Sequence, residues 1–236
     1  TALVVISLDL LVAAWGLNPG VPLAFYSEQQ ASRLSDSQPS GSRVYLPASL
    51  EDELKFERFL RFDSYMPGES WSKMRDLLLP NLGLLEGLDA VNNFDPFVPE
   101  RYERWMVHLD ELPKEELHQR LAWMNVGSVL TSYEEHLGNY EWQLVEASQR
   151  VHWVPCAKNV ASEIEAWQAV SQGGLDWDQW VIIENAQQAG QTVCSSPAGS
   201  LNASLEWIET NNPNHIKIKL DAHTDSWLVL ADTWYP

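Results

Sequence analysis

Three short stretches combine residue types that could do chemistry. In "DAHTD", Asp221, His223 and Asp225 stand at alternate positions. Alternate side chains share a face of an extended chain, and one imidazole with two carboxylates could hold a metal ion. The stretch also separates two apolar-patterned segments, so the expected reading is a hairpin turn, with no metal and no cofactor. In "LDWDQW" (Leu175–Trp180), two carboxylates alternate with two indoles. Aromatic faces beside acids can hold a sugar, and a carboxylate pair can hydrolyse one. Acids two positions apart say nothing about their distance in space, and a loop leading into a strand accounts for the stretch. The richest stretch is "PNLGLLEGLDAVNNFDPFVPERYERWM" (Pro80–Met106). Its Asn81, Gly83, Gly87, Asn92, Asn93 and Asp95-Pro96 put turn-capable polar residues inside an apolar frame. Such a loop either presents amide and carboxylate groups to a ligand or spends them on its own backbone.

Other signatures are missing. There is no Gly-rich phosphate loop, HExxH, CxxC pair or GxSxG elbow, which argues against several common enzyme classes. Asn202-Ala203-Ser204 fits a glycosylation acceptor pattern and is assigned no role.

The elements that must position these residues belong to a chain long enough for one large domain or two small ones, 236 residues with 45% apolar content. Against 15 basic residues stand 33 acidic ones, a net charge of -18. No Lys/Arg cluster exists to release counterions from a phosphate backbone, so nucleic acid is excluded as a partner. The same charge disfavours lying on anionic lipid and suits the outer face of a membrane. The 12 Trp serve cores first and carbohydrate stacking faces second. Cys156 and Cys194 allow one structural bridge in an oxidising compartment or two buried thiols.

Along the chain, Arg43–Pro47 reads as a short strand, and "SLED" (Ser49–Asp52) has the spacing of a capping box. Ser70 can cap a helix carrying Trp71, Met74, Leu77 and Leu78, ended by Pro80. Pro99 and Pro113 each sit where a helix begins. Strands are expected at Val126–Thr131 and Tyr140–Ala147, and a helix from Asn159 or Ser162 to Gly173-Gly174. From Asp178 the pattern is nearly all β: Gln179–Glu184, Ser204–Thr210, His215–Asp221 and Ser226–Tyr235. The fold class is therefore α/β or α+β: a mixed α/β lobe (1–135) followed by an antiparallel β-sandwich-like lobe with one helix (136–236), or the two as one continuous domain. Both ends look cut, the C-terminal one inside a strand.

The opening "TALVVISLDLLVAAWGLNP" (Thr1–Pro19) is too short for a membrane span and carries Asp9. It lacks the basic start of a signal peptide. Its β-branched Val4, Val5 and Ile6 favour a buried strand, with the last turns of a truncated membrane helix as the second reading.

The segment Pro80–Met106 resembles the hallmark of the YfhO family of bacterial polytopic membrane proteins, a "PN…G…GYDP…RY" pattern. Three further segments are similar and in the same order: "MNVGSVLT" (Met124–Thr131), "RVHWVP" (Arg150–Pro155) and "SWLVLADTWYP" (Ser226–Pro236). The opening "LDLLVAAWGLNPGVP" is similar to the region after that family's last helix before its outer domain. This chain departs from the pattern at Asn93, where the family has Gly, and at Gly127-Ser128, which replace an Arg-aromatic pair.

The resemblance implies an extracytoplasmic domain of a GT-C-type glycosyltransferase-like membrane protein. Such proteins move sugar from a polyprenyl-phosphate carrier to a cell-envelope polymer. Their catalytic acid is expected outside this segment, so the domain would position acceptor or support the membrane part. Its partners would be its own transmembrane region and an envelope glycopolymer or carrier-linked sugar. The ligand-contact candidates it implies are Asn81, Asn92, Asn93, Asp95 and Arg101. A secreted carbohydrate-binding module and a soluble glycosidase are the rival expectations.

Overall fold

The computed structural model describes residues 2–14, 23–27, 34, 38–39, 41–59, 71–79, 81–92, 97–133, 139–194, 203–212 and 215–232. They form a mixed α+β protein in two compact units, Thr1–Ser148 and Gln149–Pro236.

The first element corrects the expectation of a strand. Ala2–Ala14 is an α-helix (α1). Ala and Leu outnumber the β-branched residues over these positions, and their helix propensity prevails where no sheet partner fixes an extended chain. Nor is it buried. Its apolar side chains are exposed on every side, from 55% at Ile6 to 80% at Leu3.

The first unit is built on a small sheet. Strand β1 (Arg43–Tyr45) runs parallel to β2 (Val126–Ser132), which pairs antiparallel with β3 (Tyr140–Leu144). On the other side of β1, Ala90 makes a parallel bridge to Val44. Successive side chains of a strand face opposite ways. Leu46 and Leu130 therefore enter a cluster with Leu54, Phe59, Met74, Leu77 and Leu79, while Tyr45 and Val129 enter another with Val91, Leu109 and Leu121. Helices cover both faces, which is why Val126–Leu130 is buried throughout rather than alternating.

One cover consists of α2 (Ala24–Ser27), α3 (Ala48–Asp52), a π-helix (Glu53–Phe59), α4 (Trp71–Asp76) and α5 (Gly83–Glu86). The other is an αα-hairpin of α6 (Glu100–Asp110) and α7 (Lys114–Trp123). Pro99 and Pro113 stand at the N-caps of that hairpin, where a missing N–H costs nothing. The capping box expected at Ser49 does not form. Helix α3 begins two residues earlier, behind Pro47, with no side-chain cap. Ser70 lies outside the described residues.

The turn from α7 into β2 rests on Asn125, whose φ of 60° is left-handed and whose Nδ2 donates to Ser148 O at 2.7 Å. Further along β2, the Ser128 hydroxyl is buried without a hydrogen-bond partner among the described residues. A desolvated, unsatisfied hydroxyl costs about 1–3 kcal/mol. Ser128→Ala is thus expected to stabilise the protein by about 1 kcal/mol, read as a higher urea midpoint. A lower midpoint would show that the hydroxyl is satisfied in solution.

In the second unit β4 (Val151–Val154) pairs antiparallel with β10 (Trp227–Leu230). Strand β5 (Cys156–Val160) lies between β6 (Trp180–Glu184), parallel to it, and β7 (Thr192–Cys194), antiparallel. The parallel pair is a βαβ unit whose crossover contains α8 (Glu163–Ser171). Ser162 caps that helix: its Oγ accepts from Glu165 N at 3.3 Å, and Glu165 Oε2 accepts from Ala161 N at 2.9 Å. Strands β8 (Ala203–Asn212) and β9 (His215–Ala222) form an antiparallel ribbon.

The hairpin expected at "DAHTD" is corrected by this topology. Strand β9 pairs with β8 and β10 with β4, so Asp221–Asp225 links two sheets. His223 Nε2 lies 3.3 Å from Asp221 Oδ2, both exposed. Among the described residues no group of three or more His, Cys, Asp or Glu could hold a metal ion. "LDWDQW" leads into β6, with Asp178 N donating to Asp176 Oδ1 at 3.1 Å in a self-satisfied turn. Cys156 and Cys194 form a disulfide across the β5–β7 register.

Candidate functional site at the carboxyl edge of the first sheet

The expected ligand segment folds in three steps. Asn81 adopts φ 69°, left-handed, and its carbonyl accepts from Leu84 N at 3.3 Å as α5 begins. Helix α5 ends at Gly87, also left-handed at φ 70°, which lets Leu88 N donate back to Gly83 O at 2.9 Å. A side chain at Gly83 would place its Cβ 2.9 Å from the Leu88 carbonyl oxygen, so this closure needs glycine there. The chain then runs beside β1: Val44 N donates to Asp89 O and Val91 N to Val44 O, both at 2.9 Å.

Asn92 extends that ladder with its side chain. Its Oδ1 accepts from Leu46 N at 2.8 Å, where a backbone carbonyl would stand in a longer strand. Tyr102 OH donates to Val91 O at 2.7 Å and ties α6 to the same edge. Asn92 is therefore a half-buried structural residue in at least one of its groups. Asn81 is exposed at the turn before α5, and Arg101 is exposed in the first turn of α6. Asn93 and Asp95 lie outside the described residues.

The spatial order is 89–92, β1, β2, β3, while the chain visits β1 first, then 89–92, then β2. The connections leaving β1 and 89–92 thus diverge to either side of the sheet. Such a reversal leaves a crevice at the carboxyl ends of parallel strands, where α/β folds place ligands. Asn92 stands at that end.

A second polar group at the same end was not legible in the sequence. Tyr140, opposite Ser132 at the last position of β2, donates its hydroxyl to Glu53 Oε1 at 2.5 Å. Arg58 Nε lies 3.5 Å from the same oxygen, and its guanidinium carbon is 4.9 Å from the Tyr140 ring centroid. Glu53 and Arg58 stand at the two ends of a π-helix that buries Leu54 and Phe59. That rare register brings two side chains five residues apart onto one aromatic ring. The only sequence signal was the charge alternation in "EDELKFER", which any solvated helix face would share.

Two deeper polar contacts frame the region. Tyr45 OH donates to Asp110 Oδ1 at 2.8 Å; burial first, then the Asp110 charge, push the phenol far above its ordinary pKa. Arg75 and Glu86 form an ion pair between α4 and α5. Burial, reinforced by the Glu86 charge and opposed by Arg75, raises the neighbouring Asp76 carboxyl above its usual range. These polar groups are mostly spent on one another, so what they fix is the shape of the sheet edge. A carboxylate held by both a phenol and a guanidinium is suited to binding rather than to proton transfer.

The segments that carried the family resemblance meet as strand neighbours. "RVHWVP" and "SWLVLADTWYP" supply β4 and β10, and Arg150 grips Asp232 through two bonds, Nε to Oδ1 at 3.1 Å and Nη2 to Oδ2 at 2.8 Å. "MNVGSVLT" supplies β2 and the hallmark segment supplies 89–92, on opposite sides of β1. No family model, no curated protein and no solved structure matches the chain.

Proposed function

We propose that this chain is an extracytoplasmic, non-catalytic domain of a multi-pass membrane protein of the YfhO-like, glycosyltransferase-like kind. Its role is to position an envelope-polymer acceptor at the exposed polar groups of the hallmark segment, or to support the membrane part. The observation that carries this reading is α1: its residues Leu3–Val12 are apolar apart from Ser7 and Asp9, and all are exposed. A helix apolar on all sides suits an apolar medium on all sides, such as a lipid bilayer. No helix among the described residues is long and apolar enough to cross a membrane. At 13 residues α1 reaches about 20 Å of a hydrocarbon core near 30 Å. The Cys156–Cys194 disulfide supports an oxidising, extracytoplasmic compartment.

Translating the encoding gene on both sides of the segment tests the membrane reading. Several membrane-length apolar stretches before residue 1 are expected, and a plain signal peptide there with a stop after residue 236 would overturn it. Acceptor positioning is tested in the full-length protein by Asn81→Gly, which keeps the left-handed turn and removes the amide. Sugar transfer is expected to fall about tenfold with folding unchanged, the loss of one hydrogen bond to ligand. Unaltered transfer would remove Asn81 from the site. Among the described residues no Trp is an exposed large hydrophobic residue, so they give no support to the carbohydrate-module reading, which needs open indole faces.

A further inference from the structure

Arg120 lies in the last turn of α7, which packs against β2 and α6. It is 2% exposed. Its guanidinium carbon sits over the Trp123 ring, 4.5 Å from the centroid. Its Nε is buried with no hydrogen-bond partner, and among the described residues the guanidinium makes no hydrogen bond or ion pair. Glu116, one turn earlier, is exposed and makes no ion pair with it. Burial lowers the pKa of Arg120 from its ordinary value and Glu116 opposes the shift, yet a guanidinium remains charged at any working pH.

A buried cation without a counter-charge is costly, and folded proteins pair such groups. This chain does so elsewhere: Arg75, equally buried, has Glu86 and the Phe25 carbonyl; Arg150 has Asp232; Arg58 has Glu53. With 33 acidic residues against 15 basic, carboxylates are not scarce. Arg120 is the exception among these arginines. A cation over an indole face is stabilised by the ring, and a guanidinium's N–H donors can take an oxyanion through two parallel bonds.

We infer that Arg120, seated over the Trp123 ring, is a receptor for a small oxyanion, a phosphate or carboxylate group, that supplies a counter-charge. The inference does not depend on the compartment or on the acceptor role proposed above. A net charge of -18 repels anions in general, so binding at this point would be specific rather than a surface accumulation.

The test is thermal unfolding of the 236-residue chain in inorganic phosphate or acetate, with ionic strength held constant by chloride. One of the two anions is expected to raise the wild-type Tm by about 4 °C at saturation. Arg120→Met should abolish that rise and, without oxyanion, unfold at a higher temperature than wild type, since the unpaired charge is gone. Absence of any shift in the wild type, or the same shift in Arg120→Met, would overturn the inference. Should that variant fail to fold, the wild type decides: an arginine Nε–H resonance that moves on titration supports the site, and none moving rejects it.

Discussion

Arg75→Met is expected to destabilise the first unit by about 3–5 kcal/mol, because it strands Glu86 as a buried, unpaired carboxylate. Arg75 is 1% exposed and Glu86 4%. Besides the ion pair, Arg75 Nη1 donates to the Phe25 carbonyl, and its guanidinium carbon lies 5.8 Å from the Phe25 ring centroid. One side chain therefore joins α2, α4 and α5, the elements that deliver the chain to Asn81 and on to the sheet edge. Urea unfolding followed by circular dichroism reads the loss. The double variant Arg75→Met with Glu86→Leu should recover most of it, since the cost lies in breaking the pair rather than in lacking one. A loss no larger than that of a surface substitution would mean that water reaches the pair. The same Arg→Met change is expected to stabilise at position 120, so the two variants together measure what a counter-charge is worth here.

Removing the disulfide by Cys156→Ala with Cys194→Ala should cost the second unit about 3–4 kcal/mol, the loop-closure entropy for a bridge of this span. The bridge closes a separation of 38 residues that holds α8 and β6. It matters more than a typical cross-strand pair because β7 has only three residues, all exposed. Their backbone pairing with β5 is otherwise the main attachment of that edge. Amide exchange at Thr192–Cys194 should accordingly rise most, while β4 and β10, held by the Arg150–Asp232 fork, should keep their protection. Equal stability of the oxidised protein and the double variant would show that β5–α8–β6 is self-sufficient.

Local chemistry was legible where it acts within a few residues. The prolines before α6 and α7, the Ser162 cap with Glu165 three positions on, and the glycines that close α5 all work through the neighbouring backbone. Each forms with little help from the rest of the fold. The strands β2, β8 and β9 were legible because alternation or a solid apolar run reports whether one or two faces are covered. The mixed α+β class followed from those elements.

Partnership was not legible. Whether Val4, Val5 and Ile6 extend or coil depends on a sheet neighbour that α1 does not have. "DAHTD" joins two sheets rather than two paired strands because β10 has its partner 70-odd residues earlier. Asn92 looked like a ligand group and serves as a surrogate carbonyl for Leu46, 46 positions away. Glu53 and Arg58 converge only because the helix between them takes a π register over Tyr140, 87 positions from Glu53. Sequence by itself determined most of the elements, since their signals are periodic and local, but neither α1 nor the π-helix. Tertiary structure alone decided which polar groups are spent on the fold and which, as at Arg120, are left to something else, because satisfaction of a buried group is settled by whatever long-range packing brings beside it.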